Sequence, residues 1–202
     1  PVRGEYVDLV AQAPLPQPCN LAFDIGVGSG VLSCLLAKRG IAKVIGTDLD
    51  PRALACAQEN VHRLGFNTQV AIEAADLFPA SAVKADLIVC NPPWLPATPT
   101  SPVEAAVYDP NSQMLRAFLS GVADRLAPTG EVWLILSDLA EHLGLRTRDE
   151  LLGWIQTAHL IVVGRIDTKP HHPKTRDTTD ALHKARAAEI TSLWRLKTAI
   201  RH

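Results

Sequence analysis

The sequence predicts a doubly wound α/β fold: a mainly parallel sheet of seven strands, an antiparallel last strand, and helices on both faces. Three observations carry this. Short apolar runs alternate with segments of helical period along most of the chain. Glycine, proline and Asp-Pro signals punctuate the boundaries. The length, 202 residues with 47% apolar side chains and a formal net charge of −1, suits one large core and argues against a disordered or strongly basic chain.

Residues 20–25 form the first strand and run into a glycine-rich loop. Residues 30–39 have helical spacing and stop at Gly40, a residue suited to the left-handed end of a helix. Residues 43–48 are the second strand. Asp50 then reads as an N-cap and Pro51 as the first helical residue of a segment ending near Leu64 and Gly65. Residues 68–74 and 86–90 are the third and fourth strands, the latter apolar after its first residue, as buried parallel strands are. A helix is expected over 111–126, closed by Pro128 and Gly130, then a strand over 131–137 and a helix over 147–158. Strand-like runs at 159–166 and 190–197, with a short helix at 180–188 between them, leave the final strand to insert antiparallel. Residues 1–19 are set apart as an N-terminal segment that closes a region lying before it, with the Pro-rich residues 12–19 as a linker, and residues 20–202 as a single domain.

Cys19, Cys34, Cys56 and Cys90 lack CxxC spacing and are read as reduced core residues of a cytoplasmic protein. His171 and His172 have no spaced third ligand, so no metal is expected. With no apolar run of about 18 residues, no membrane span is expected either. Between Arg165 and His202 nine Lys/Arg face four Asp/Glu, which makes this tail a solvated edge or a surface for RNA.

The chemistry-bearing residues fall at strand ends. Gly26, Gly28 and Gly30 follow the first strand with GxGxG spacing, where a doubly wound sheet takes a nucleotide-like ligand. A dinucleotide loop has GxGxxG spacing and a helix start aimed at pyrophosphate. Here Asp24 stands at the mouth of the loop, where a carboxylate repels phosphate and favours a cation. S-adenosylmethionine, with an ammonium, a sulfonium and no phosphate, suits that charge. Asp48 is placed to accept ribose hydroxyls. Asp76 is placed to accept an adenine amine, with Leu49 and Leu77 on the faces of the ring. Residues 91–94, Asn-Pro-Pro-Trp, follow the fourth strand. Alone they fit a rigid turn equally well.

"DIGVGSG" together with "NPPW" resembles the class I S-adenosylmethionine-dependent methyltransferases of planar nitrogens, whose members modify protein glutamine, ribosomal RNA guanine or DNA adenine. The resemblance covers about residues 23–136 and the two final strands. It implies a Rossmann-like methyltransferase fold, S-adenosylmethionine as cofactor, and a protein or RNA acceptor. The Asn91 side-chain oxygen and, by resemblance, the Pro92 carbonyl would take the two N–H bonds of the acceptor. Pro93 would hold the corner stiff and Trp94 would stack on the planar group. Asn91 would also border the cofactor. Arg3 and Glu5 match an N-terminal motif of the glutamine-modifying members only loosely; that segment is read as packing over the cofactor's methionine end. Tyr108 and Asp109 are read as lining the acceptor pocket. Two other functions share the sheet: a nicotinamide-dependent oxidoreductase and a non-catalytic RNA-binding module.

Overall fold

The structure, a computed structural model, describes residues 4–94, 109–169 and 183–199. Within them seven strands make one sheet: β1 (Leu21–Ile25), β2 (Lys43–Asp48), β3 (Val70–Ala74), β4 (Ala85–Cys90), β5 (Leu126–Ser137), β6 (Leu160–Thr168) and β7 (Thr191–Thr198). Their order is β3-β2-β1-β4-β5-β7-β6. Strands β1 to β5 pair in parallel, and β7 enters antiparallel between β5 and β6. The chain winds outward from β1 to β3, then crosses back to β4 on the other side of β1. That crossing is the switch point of a doubly wound sheet, and it leaves the carboxyl ends of β1 and β4 side by side.

Both faces of the central strands are covered, which is why β4 reads as an almost unbroken apolar run. On one face Phe23, Ile25, Ile88 and Cys90 meet Leu115, Phe118 and Leu119 of α4 (Gln113–Arg125) and Leu151 and Ile155 of α6 (Arg148–Thr157). On the other, Ala22, Leu87, Val89 and Trp133 meet Leu32, Leu36 and Ala37 of α2 (Val31–Lys38) and Val61 of α3 (Pro51–Arg63). Asp50 caps α3 through the Arg52 amide at 2.9 Å, as its sequence predicts. Thr147 and Glu150 form a reciprocal capping box on α6.

The sequence reading missed a first helix, α1 (Glu5–Gln12), inside the segment set apart as residues 1–19. Its Val7, Leu9 and Val10, with Ala13, are buried in the second core beside Leu36 and Trp133. Arg39 closes its carboxyl end, donating to the Val10 carbonyl at 2.6 Å and the Ala13 carbonyl at 2.8 Å. The prolines that follow hid an eight-residue helix behind a linker-like composition. Strand β5 starts at Leu126 instead of 131: Pro128 and Gly130 sit in an irregular first half, where the pairing with β4 shifts register between Ala85 and Leu87. The four-residue helix α5 (Leu139–His142) was also unread, being too short to show a period. Helix α7 (His183–Ala188) precedes β7. Of the cysteines read as core, Cys34 and Cys90 are buried, but Cys56 is exposed on α3; all four are free.

Gly46, inside β2, has a packing reason. A methyl group there would lie 2.5 Å from Val27 Cγ2 and 2.9 Å from Ser33 Oγ. The glycine lets the β1–α2 loop press against the sheet. Gly46→Ala is expected to lower stability by about 1–3 kcal/mol, read as a drop in urea midpoint at constant slope; an unchanged midpoint would contradict this packing.

Candidate functional site

Ile25 pairs with Cys90, so the chain leaves the two central strands at Gly26 and Asn91, next to each other on the carboxyl edge. The glycine loop therefore lies beside the Asn-Pro-Pro-Trp corner, on the carboxyl edge where the sequence expects both.

Gly26, Gly28 and Gly30 all adopt positive φ, at 75°, 52° and 78°. A methyl at Gly30 would lie 3.2 Å from Ala57, while one at Gly28 would meet nothing within 4 Å. Gly30 thus serves helix packing, and Gly28 keeps the loop's open side low. The loop is pinned from β2: the Gly26 and Val27 amides donate to the Thr47 carbonyl at 2.9 and 2.8 Å. The Thr47 hydroxyl donates to the Leu77 carbonyl. Leu77 holds φ at 65°, a costly state for leucine, and this bond and the turn from Asp76 to Phe78 hold it there.

Asp48, half-buried at the end of β2, accepts from the Gly28 amide at 3.0 Å on one oxygen and from the Asp50 amide at 3.0 Å on the other. Two backbone donors fix the carboxylate plane and leave a lone pair on each oxygen for a further donor. Asp76 is exposed after β3, Leu49 is 66% exposed after Asp48, and Leu77 is half-buried against the first core.

Asp24 is the most perturbed group of the set. It is 1% exposed, and the Ser33 hydroxyl donates to it at 2.7 Å. Burial, with a smaller push from Asp48, raises its pKa to about 7, against the opposing pull of the Ser33 hydrogen bonds. The sequence reading gave it a full negative charge at the loop's mouth. Burial instead holds a large share of it protonated at neutral pH. Tyr6 of α1 lies near enough for Asp24, after burial, to raise its phenol.

Asn91 is half-buried, and its backbone follows Cys90, the partner of Ile25, next to the start of the glycine loop. Its side-chain oxygen accepts from the Trp94 indole Nε1–H at 3.0 Å. The usual local fate of such an oxygen is the N–H two residues on, and Pro93 has none to give. Pro92 is buried, and the Trp94 ring packs against the first core, as do Leu77 and Met114. Met114 Cε lies 3.5 Å from where a Gly26 methyl would stand. Burial, then Asp24 and Asp109, push the neighbouring Cys90 thiol well up, which leaves it un-ionised and inert as a nucleophile.

Asp109, read as a pocket residue, is 5% exposed, and its two oxygens accept from amides in the first turn of α4, Met114 at 2.9 Å and Leu115 at 3.1 Å. Tyr108, Arg3 and the His171–His172 pair lie outside the described residues. Among the described residues no group of three or more His, Cys, Asp or Glu is placed to hold a metal, and no helix is long and apolar enough to cross a membrane. In the basic tail Arg195 meets buried Glu131 through two bonds of 2.7 and 2.8 Å, Lys197 approaches the same carboxylate at 3.7 Å, and Arg165 meets Asp167 at 2.6 Å. Those three cations are engaged within the sheet. A groove of about 910 Å³ runs between α4 and α6, past Arg116, Trp154 and His159, and none of the sequence-predicted site residues lines it. Sequence reasoning missed Thr47, Ser33, Met114 and Tyr6. A glycine inside a strand, at 46, was the one signal that a loop comes close there.

A family profile described as methyltransferase small domain matches residues 9–158. The tRNA1(Val) (adenine(37)-N6)-methyltransferase of Shewanella loihica is 34% identical over 145 residues, covering 67% of this chain and 59% of that protein. The release factor glutamine methyltransferase of Cereibacter sphaeroides is 33% identical over 144 residues, covering 65% of this chain and 51% of that protein. The chain thus spans between half and three-fifths of the length of these curated relatives. Among solved structures, a methyltransferase from Thiobacillus denitrificans in complex with S-adenosyl-L-homocysteine superposes with a TM-score of 0.61 at 16% identity, covering 96% of this chain and 91% of that one. A geranyl diphosphate methyltransferase in complex with its methyl donor gives 0.69 at 13% identity, covering 96% and 85%. These two likenesses concern the fold.

Proposed function

This chain belongs to the methyltransferase small domain family, and on that premise we propose that it is an S-adenosylmethionine-dependent N-methyltransferase acting on a planar NH2 nitrogen, a protein glutamine amide or a nucleobase amine. The observation that carries the reading is the pairing of Ile25 with Cys90, which sets the glycine loop beside Asn91.

The residues present fit the cofactor. Asp48, its plane fixed by two amides, offers outward lone pairs to ribose hydroxyls. Gly26 and Gly28 let a ligand approach the backbone. Asp24 supplies a carboxylate that a cationic ligand would draw into its charged form. Asp76 and Leu77 lie at the next strand end for the adenine, and Leu49 stands exposed after Asp48 to cover its other face. Bound there, S-adenosylmethionine supplies a methyl group on a sulfonium; transfer breaks the S–CH3 bond, forms N–CH3 and releases one N–H proton to solvent.

The chain's own part is positioning. A planar nitrogen has its lone pair delocalised and attacks only when oriented. The Asn91 oxygen and the Pro92 carbonyl would take its N–H bonds, Pro93 would keep those acceptors aimed, and the Trp94 ring would support the plane. Orientation of this kind is worth up to about 7–11 kcal/mol in barrier, so no general base is needed. Neither a dinucleotide spacing nor a hydride-transfer pair supports the oxidoreductase. The engagement of Arg165, Arg195 and Lys197 weakens the case for the tail as an RNA surface. The free cysteines suit the cytoplasm.

The test is incubation of the protein with S-adenosylmethionine carrying a labelled methyl group and an undermethylated cell lysate. Label is expected in protein or in RNA, and the fraction names the acceptor class. Label in neither, with no cofactor binding by calorimetry, would overturn the reading.

A further inference from the structure

Resting on the N-methyltransferase reading above, we propose that Trp94 is a positioning residue that fixes which end of the Asn91 amide faces the acceptor. An asparagine amide carries an oxygen and an NH2 of similar size, exchanged by a half-turn of the side chain. Only the oxygen accepts a hydrogen bond from an acceptor's N–H; the NH2 would oppose it, donor against donor. The site therefore needs a device that selects one orientation before the acceptor arrives.

Trp94 has the right chemistry. Its indole nitrogen is a donor only, and it lies 3.0 Å from the Asn91 side-chain oxygen. A half-turn of the amide would bring N–H against N–H at that distance and leave a part-buried donor unmet. A net hydrogen bond of ordinary strength, with the unmet donor added, biases the two orientations by about ten- to a hundredfold. A carbonyl oxygen has two lone pairs, so one remains for the acceptor. The intervening residues contribute by what they lack: Pro92 and Pro93 offer no N–H, so no backbone donor from either competes for the oxygen. The ring itself is held, half-buried against the core that Met114 and Leu77 also pack on. An aromatic residue without a ring donor would keep the stacking surface and lose the selection.

The test separates shape from donation. Residue 94 is replaced by benzothienylalanine, a tryptophan isostere with sulfur in place of the indole N–H, and by phenylalanine. The acceptor probe is the lysate fraction that the wild-type protein labels, and the cofactor probe is S-adenosylhomocysteine. Without the indole N–H the two orientations become about equally populated, so with the isostere kcat is expected to fall about twofold, with cofactor Kd unchanged; Trp94→Phe should lose at least as much kcat. In 15N-labelled wild-type protein, one indole N–H signal should shift on Asn91→Ala. Full kcat with the isostere, a loss confined to KM, or an indole spectrum unmoved by Asn91→Ala would each overturn the inference while the N-methyltransferase reading stood. A wild-type protein that neither binds cofactor nor labels any fraction would overturn both, and it shows in the control.

Discussion

Asn91→Ala is expected to lower methyl transfer by about a thousandfold while leaving S-adenosylhomocysteine affinity within about threefold of wild type. The substitution removes an acceptor aimed at the reacting nitrogen and leaves Trp94 without the partner its indole N–H meets at 3.0 Å. Removing one preorganised hydrogen-bonding group from a reaction centre costs about 10²–10³ in rate, and the freed indole adds disorder to the corner. The cofactor anchors we propose lie elsewhere, on Asp48 and the glycine loop, whose bonds to Thr47 and to each other do not involve Asn91. Single-turnover labelling and calorimetry read the two quantities separately. A matched loss of both would mean that Asn91 holds the loop together and would contradict its assignment to the acceptor.

Asp24→Asn is expected to stabilise the fold at alkaline pH and to weaken cofactor binding. The ordinary aspartate pKa is 3.8, and burial raises that of Asp24 to about 7 in the folded chain. Below the lower value both folded and unfolded chains carry the proton, and the carboxyl causes no loss. As pH rises from about 4 to 7 the unfolded chain ionises first, and stability falls; above 7 the loss is complete. At about 1.4 kcal/mol per unit of pKa it reaches up to about 4 kcal/mol. Asparagine keeps an oxygen for the Ser33 hydroxyl and never ionises. The gap between variant and wild type in urea unfolding should therefore widen by about 2–3 kcal/mol from pH 5 to pH 8. Cofactor affinity should drop over the same range, since the carboxylate that would face a cation is gone. A variant equally destabilised at both pH values would contradict a buried, strained carboxyl. This residue would be one whose cost to the fold is retained for binding.

The alternation of strand and helix and the antiparallel last strand were legible because each leaves a local trace: an apolar run, a glycine stop, an Asp-Pro cap. The strand order, and with it the switch point, leaves no such trace. The positions of Asp24, Asp48 and Asn91 on one edge followed from that alternation alone, since parallel strands put their carboxyl ends together. Helix α1 does carry a helical period, with Tyr6, Leu9, Val10 and Ala13 spaced for one face, but it is only eight residues long and the prolines after it imitate a linker. The ionisation of Asp24 was not legible, because it depends on Ser33 and on burial that only the packed loop creates. Asp109 was read as a pocket residue from its place in a segment where relatives carry a glycine-rich loop. In the structure its carboxylate accepts from two amides in the first turn of α4. The bond from Trp94 to Asn91 is the instructive miss: two prolines suggested stiffness, but their missing N–H groups are what keep the asparagine oxygen available.

The most direct measurement is a crystal structure of the protein grown with S-adenosylhomocysteine. The account predicts the ribose on Asp48, the amino-acid end over Gly26 and Gly28 near Asp24, and the sulfur turned toward the Asn91 oxygen. A ligand seated elsewhere, such as the groove between α4 and α6, or one whose sulfur points away from Asn91, would contradict it.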